Sequence, residues 1–233
     1  MRNNGTVLAV GKNDKGQLGD GLTTDRATPK EVLNATHHKV KEVTEISTGH
    51  QHTVFLKSDG TILTVGDNNY GQLGDGTNID RSTPEYVVDI NGLKMSGVVS
   101  VSAGWYHTVF LKNDGTVWAV GGNSSGALGD GNTTNRSNPV QVVDENGIIF
   151  NDVVQISAGQ SHTAFLKSDG SVWAVGYNGS GRLGDGTTIT RLNPVQVKNG
   201  DGSAFDGVVG VRAGSGYTLF LKNDTSVLSL IHI

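Results

Sequence analysis

The chain contains no cysteine and only four prolines in 233 residues. Without cysteine there is no disulfide framework and no thiolate metal site. Charge is sparse as well. Asp, Glu, Lys and Arg make up 17% of the residues and sum to a net −4, against roughly 25% charged in an average soluble domain. An acidic balance with scattered Lys and Arg lacks the electrostatic footprint of a nucleic-acid binder, so no nucleic-acid partner is expected. No apolar run approaches the ~18 residues that cross a bilayer, and no apolar core follows Met1-Arg2-Asn3-Asn4-Gly5 as it would in a secretion signal. No membrane partner is expected. The compartment is left open, because a chain without cysteine is compatible with secretion. Helical periodicity over ten or more residues is missing too, which argues against long helices.

Glycine is what the chain has in excess, at 34 residues, about twice the usual share. Its spacing is not every third residue, which removes collagen, and 35% hydrophobic residues argue against disorder. The glycines belong to a repeat. Leu-Gly-Asp-Gly begins at Leu18, Leu73, Leu128 and Leu183, each 55 residues after the last. The same step relates Arg26, Arg81, Arg136 and Arg191; all four prolines, Pro29, Pro84, Pro139 and Pro194; and the Phe-Leu-Lys triplets that start at Phe55, Phe110, Phe165 and Phe220. No insertion or deletion breaks the register.

Within a unit the period is that of strands. In the third, Val153–Ala158, His162–Lys167, Ser171–Val175 and Pro194–Val197 are short β-prone runs bounded by Gly, Asp, Asn or Pro. Ser168-Asp169-Gly170 between the second and third runs predicts a two-residue hairpin turn with positive φ. Four short antiparallel strands per ~55 residues describe one blade of a β-propeller, stable only when stacked on its neighbours. The fold expected is all-β, a single array over 1–233 with repeat units at about 6–60, 61–115, 116–170 and 171–225 and an atypical tail at 226–233.

Asp-Gly-Thr-Val-Trp-Ala-Val-Gly, then Asn-x-x-Gly-x-Leu-Gly-Asp-Gly, then Asn-Arg-Ser-x-Pro-Val-Gln-Val, then Ala-Gly-x-x-His-Thr resemble regulator of chromosome condensation repeats, most closely those of bacterial proteins. The resemblance covers about residues 4–224. It implies a seven-bladed propeller when the array is complete, which at this repeat length takes roughly 385 residues. The chain opens and closes on third-strand sequence, Thr6–Gly11 and Ser226–Leu230, and on that count is expected to be an incomplete, open array of about four blades. Thr225 replaces a turn glycine, and Ile231 stands where Gly11, Gly66, Gly121 and Gly176 stand.

Residues fixed in every unit are expected to serve the fold. Asp20, Asp75, Asp130 and Asp185, each six residues before an Arg, read as loop staples or blade-to-blade ion pairs. His52, His107 and His162, with Tyr217 in the fourth copy, read as hydrogen-bonded structural groups; on different blades they do not converge as zinc ligands must, so no metal is expected. Trp118 and Trp173 share a column with Leu8, Leu63 and Leu228 and read as packing between blades. Gly179-Ser180-Gly181-Arg182-Leu183-Gly184 matches a dinucleotide fingerprint, but no helix follows it. No nucleophile has an evident base. An enzyme is not expected, nor a cofactor or small-molecule ligand.

Alternation of strand direction puts the loops after the first and third strands on one face of the propeller and the Asp-Gly turns on the other. The turns hardly change between units. The opposite loops do: His50-Gln51, Trp105-Tyr106, Gln160-Ser161, Ser215-Gly216; Lys12, Asp67, Gly122, Tyr177; Lys15, Tyr70, Ser125, Ser180. Variable loops on a rigid scaffold are the usual place for recognition, so Trp105, Tyr106, Tyr70, Tyr177 and His50 are the expected partner-binding residues. The function expected is a protein-interaction scaffold with an unnamed protein partner. The resemblance supports this through β-lactamase inhibitory members of the family and offers guanine-nucleotide exchange on a small GTPase as the alternative. Light sensing by other members is set aside: their pattern is met only at Gly104-Trp105-Tyr106-His107-Thr108, with Tyr106 where it wants arginine. The loops at 33–41, 88–97, 143–152 and 198–207 are expected to lie at the rim and to tolerate change.

Overall fold

A computed structural model describes residues 6–229; the part of the atypical tail at 230–233, Ile231 included, lies outside them. All regular structure among the described residues is β. Three antiparallel four-stranded sheets follow one another: β3 to β6 (Val43–Thr48, His52–Lys57, Ile62–Gly66, Arg81–Tyr86), β7 to β10 (Val98–Ala103, His107–Lys112, Val117–Gly121, Arg136–Gln141) and β11 to β14 (Val153–Ala158, His162–Lys167, Val172–Gly176, Arg191–Gln196). A two-stranded sheet, β1 (Leu8–Gly11) with β2 (Arg26–Glu31), precedes them, and a three-stranded sheet, β15 to β17 (Val208–Ala213, Thr218–Lys222, Val227–Ser229), follows. The architecture is that of propeller blades in an open arc.

The sheets are out of phase with the repeat units. A unit boundary at 60/61 or 115/116 falls in the Asp-Gly turn, so each full sheet takes two strands from one unit and two from the next. That turn is not the two-residue hairpin expected. Lys57 N–H donates to Thr61 O at 2.9 Å and Gly60 N–H to Lys57 O at 3.0 Å, enclosing three residues. Of these only Gly60 has positive φ, at 76°, the pattern of a type I turn closed by a left-handed glycine. Asp59 instead accepts from Thr61 N–H and Oγ1 at 3.0 and 2.6 Å.

The core lies between sheets. Val54, Leu56, Ile62 and Val87 of one sheet pack on Val98, Val101, Phe110 and Val120 of the next, with Trp118 half-buried against them. Polar ties join the inner strands: Ala103 N–H donates to Ser47 Oγ, Ala158 N–H to Ser102 Oγ and Ala213 N–H to Ser157 Oγ, at 2.8–2.9 Å.

The loops between blades are more than a tolerant rim. Each closes on itself through one bridge, such as Val143↔Ile149, and then buries one apolar side chain: Val40, Met95, Phe150 or Phe205. Phe150 meets the Phe165 ring at 5.3 Å and the Trp173 ring at 5.6 Å. Their exposed tips vary, and their anchors hold the blade.

Candidate functional site

The loop joining third and fourth strands is organised by a buried asparagine. Asn68, fully buried, donates to Asp75 Oδ1 at 3.1 Å and to the carbonyls of Thr77 and Ile79, and accepts from Leu73 N–H at 3.0 Å. Asn13, Asn123 and Asn178 repeat this. Asp75 then takes Arg81 within the same loop, Nε to Oδ2 at 2.7 Å. Burial opposes the charge on Asp75, but hydrogen bonds from Thr77 and Arg81 outweigh it and hold the carboxyl below its ordinary range. The Asp–Arg pairs are thus staples within a loop, not ties between blades. This is the asparagine that opens each Asn-x-x-Gly-x-Leu-Gly-Asp-Gly motif, five residues before the leucine; the motif marks its place, and only the contacts show its role as a hub.

The loops of this face bring four of the five expected residues together. The His50 and Trp105 rings stack at 5.1 Å and 20°. Tyr106 sets its edge to His50 at 5.9 Å and to Trp105 at 6.3 Å, and Tyr70 meets Tyr106 at 5.2 Å. His50 comes from the β3–β4 loop, Tyr70 from β5–β6 and Trp105-Tyr106 from β7–β8, so the group bridges adjacent blades on one face. Tyr70 is 42% exposed. Two further residues shape the group. A methyl at Gly122 would lie 3.2 Å from Tyr106 Cβ and 3.6 Å from Tyr70 Cβ, so the bare backbone there lets the two tyrosines approach. Fully buried Gln72 accepts from Tyr70 N–H at 3.0 Å and donates to Asp67 at 2.5 Å. Gly122 stood in the variable column that sequence comparison isolated, but its role depends on a contact between loops that no linear pattern displays.

Tyr177 is not part of the group. It lies on the β13–β14 loop, in the fourth unit, with the Arg182 guanidinium 4.7 Å over its ring. Arg182 donates to Ser215 O at 2.9 Å.

The histidines sit beneath this face, buried between blades. His52 Nε2 is 3.0 Å from Thr108 Oγ1, His107 from Thr163 and His162 from Thr218. Burial pushes His52 down to about 4 and His107 and His162 to about 3, with the Arg182 guanidinium adding to the effect at His162. Among the described residues no three His, Asp or Glu side chains are placed to hold a metal ion.

Comparison with known proteins identifies the repeat. The model of the regulator of chromosome condensation repeat matches residues 4–56, 59–111, 114–166 and 169–221. An ultraviolet-B receptor of Arabidopsis thaliana is 32% identical over 225 residues, 97% of this chain and 48% of that protein. That similarity runs along the array and is not confined to Gly104–Thr108, as the motif comparison had it. Two solved structures share the fold: human WBSCR16, at 23% identity and TM-score 0.78, covering 96% of this chain and 55% of that one; and yeast Prp20 bound to Kap60, at 22% and 0.74, covering 96% and 52%. The chain spans about half the length of each.

Proposed function

Because the chain belongs to the regulator of chromosome condensation repeat family, whose blades it builds sheet by sheet, we propose that it is a non-enzymatic scaffold that binds a protein partner through one face of the propeller. The observation that carries this reading is the interlocked group of His50, Trp105, Tyr106 and Tyr70 on that face. Large aromatic side chains offer much contact area at small entropic cost, and rings already fixed by one another lose little freedom on binding. Such residues dominate the energetics of interfaces. Tyr70 belongs to a loop whose backbone is pinned by Asn68 and Gln72, so its place in the group is set before a partner arrives. The yeast protein that shares the fold is found bound to another protein, Kap60, which is in keeping with this reading.

The test is capture of a partner from the source organism with the 233-residue chain, followed by affinity measurement for Trp105→Ala and Tyr106→Ala. Each is expected to weaken binding about tenfold or more, as interface anchors do. Unchanged affinity in both would overturn the assignment. The exchange-factor alternative predicts faster nucleotide release from a small GTPase on addition of the chain; a scaffold leaves that rate as it is.

A further inference from the structure

The loop that carries Tyr70 is held from the blade before it. Lys15 lies in the β1–β2 loop, at the position that Tyr70 takes in the β5–β6 loop 55 residues on. Its ammonium crosses the seam between the two blades and stands 3.2 Å from Asp67 Oδ1 and 2.9 Å from Asp80 Oδ2. Asp67 and Asp80 are the first and last residues of the β5–β6 loop. One cation therefore clasps that loop at both ends. Hydrogen bonds to Asp80 and then Asp67 hold the Lys15 ammonium above the ordinary lysine pKa.

Each carboxylate passes the constraint inward. The Asp67 side chain is 5% exposed and accepts from Gln72 Nε2 at 2.5 Å and from Asn69 Nδ2. A carboxylate only accepts. Gln72 must therefore turn Nε2 to Asp67, which leaves Oε1 for the Tyr70 N–H at 3.0 Å. Asp80 Oδ1 accepts from Asn68 N–H at 2.8 Å, at the hub of the same loop. A carboxylate as buried as Asp67 needs a cation to offset its lost hydration, and among the described residues Lys15 is the cation paired with it.

The same reach recurs at the next seam. Tyr70 crosses to Gly122, which stands 55 residues after Asp67 and whose methyl would lie 3.6 Å from Tyr70 Cβ. At the first seam the meeting is an ion pair. At the second it is a ring beside bare backbone, and there Tyr70 meets Tyr106 at 5.2 Å.

We propose that Lys15 is a positioning residue for the aromatic face: by clasping Asp67 and Asp80 it fixes the loop that presents Tyr70 to Tyr106. Its effect on a partner rests on the reading of that face as the binding surface; its effect on the loop does not.

Hydrogen exchange at the Tyr70 amide of the 233-residue chain, followed by NMR beside the Leu128 amide, tests this with no partner present. Leu128 N–H donates to Asn123 Oδ1 at 3.0 Å in the corresponding loop of the next blade. In Lys15→Met, exchange at Tyr70 should quicken about tenfold through local opening, Leu128 should keep its rate, and the near-UV circular dichroism of the aromatic group should weaken. Lys15→Arg should keep both readings near those of the parent chain. In a Tyr70→Ala background, Lys15→Met should change the near-UV signal no further, because the lysine acts through that ring. Unchanged exchange at Tyr70 in Lys15→Met, or an equal rise at Leu128, would overturn the proposal. If the loop loosens while a captured partner binds as before, the positioning role stands and the binding face is the reading that falls.

Discussion

His52 and Thr108 are 56 residues apart in the chain and 3.0 Å apart in space. The Thr108 hydroxyl has one proton and donates it to Gln72 O at 2.8 Å. It must therefore accept from His52, which fixes the proton of the ring on Nε2 and leaves Nδ1 bare. Gly49 sits against that ring: a methyl there would come 2.2 Å from Cε1. The Gly-x-x-His-Thr motif is thus a latch in which each blade supplies a ring to one neighbour and a hydroxyl to the other.

The latch carries a pH dependence. The folded histidines are held at about 4, 3 and 3, whereas the unfolded chain titrates near 6.5. Between those values the unfolded state binds more protons, so stability falls as pH falls from about 6.5 to 4. Asp20, Asp75 and Asp185 are held below 3.8 and lose their contribution only at lower pH. Urea midpoints measured from pH 7.5 to 4 should drop steadily; a flat profile would contradict neutral buried rings.

Thr108→Val keeps the shape and removes the hydroxyl. It strands the His52 Nε2 proton and Gln72 O in a buried place. The expected cost is about 2–4 kcal/mol, read from chemical denaturation, while the pH dependence should persist, because burial and not the hydroxyl holds the His52 ring below its ordinary range.

Gly104→Ala and Gly200→Ala make a matched pair. A methyl at Gly104 would lie 2.4 Å from His107 Cε1 and 2.5 Å from Gly159 O, while at Gly200 it meets nothing within 4 Å. The first should cost more than about 3 kcal/mol or prevent folding. The second should stay within about 0.5 kcal/mol.

Phe150→Ala tests the anchored loops. Phe150 is 4% exposed and lies in the core beside Phe165, while Ile148, two residues away, is 63% exposed. Truncating Phe150 should cost about 3–5 kcal/mol; Ile148→Ser should leave the melting temperature unmoved.

Gly122→Lys places in the third unit's loop the residue that Lys12 supplies in the first. Its Cβ would wedge between Tyr106 and Tyr70, so partner affinity should fall about tenfold with little loss of stability. Equal affinity would mean that the aromatic contacts do not set the binding surface.

Much of this was legible from the chain compared with itself. Columns that repeat, such as Asp75 with Arg81 or His107 with Thr108, sit in local or nearest-blade contacts, and a strict 55-residue step makes such contacts repeat. Turn geometry was less so, because Asp-Gly fits more than one hairpin and only the pairing of Lys57 with Thr61 decides between them. The sequence by itself determined the all-β blades, the face on which each loop falls and the residues free to vary there. The tertiary structure alone decided that His50, Tyr70, Trp105 and Tyr106 touch while Tyr177 stands apart. Contacts between loops of different blades depend on side-chain reach and on bare backbone at Gly122, and no period along the chain encodes a meeting that occurs once.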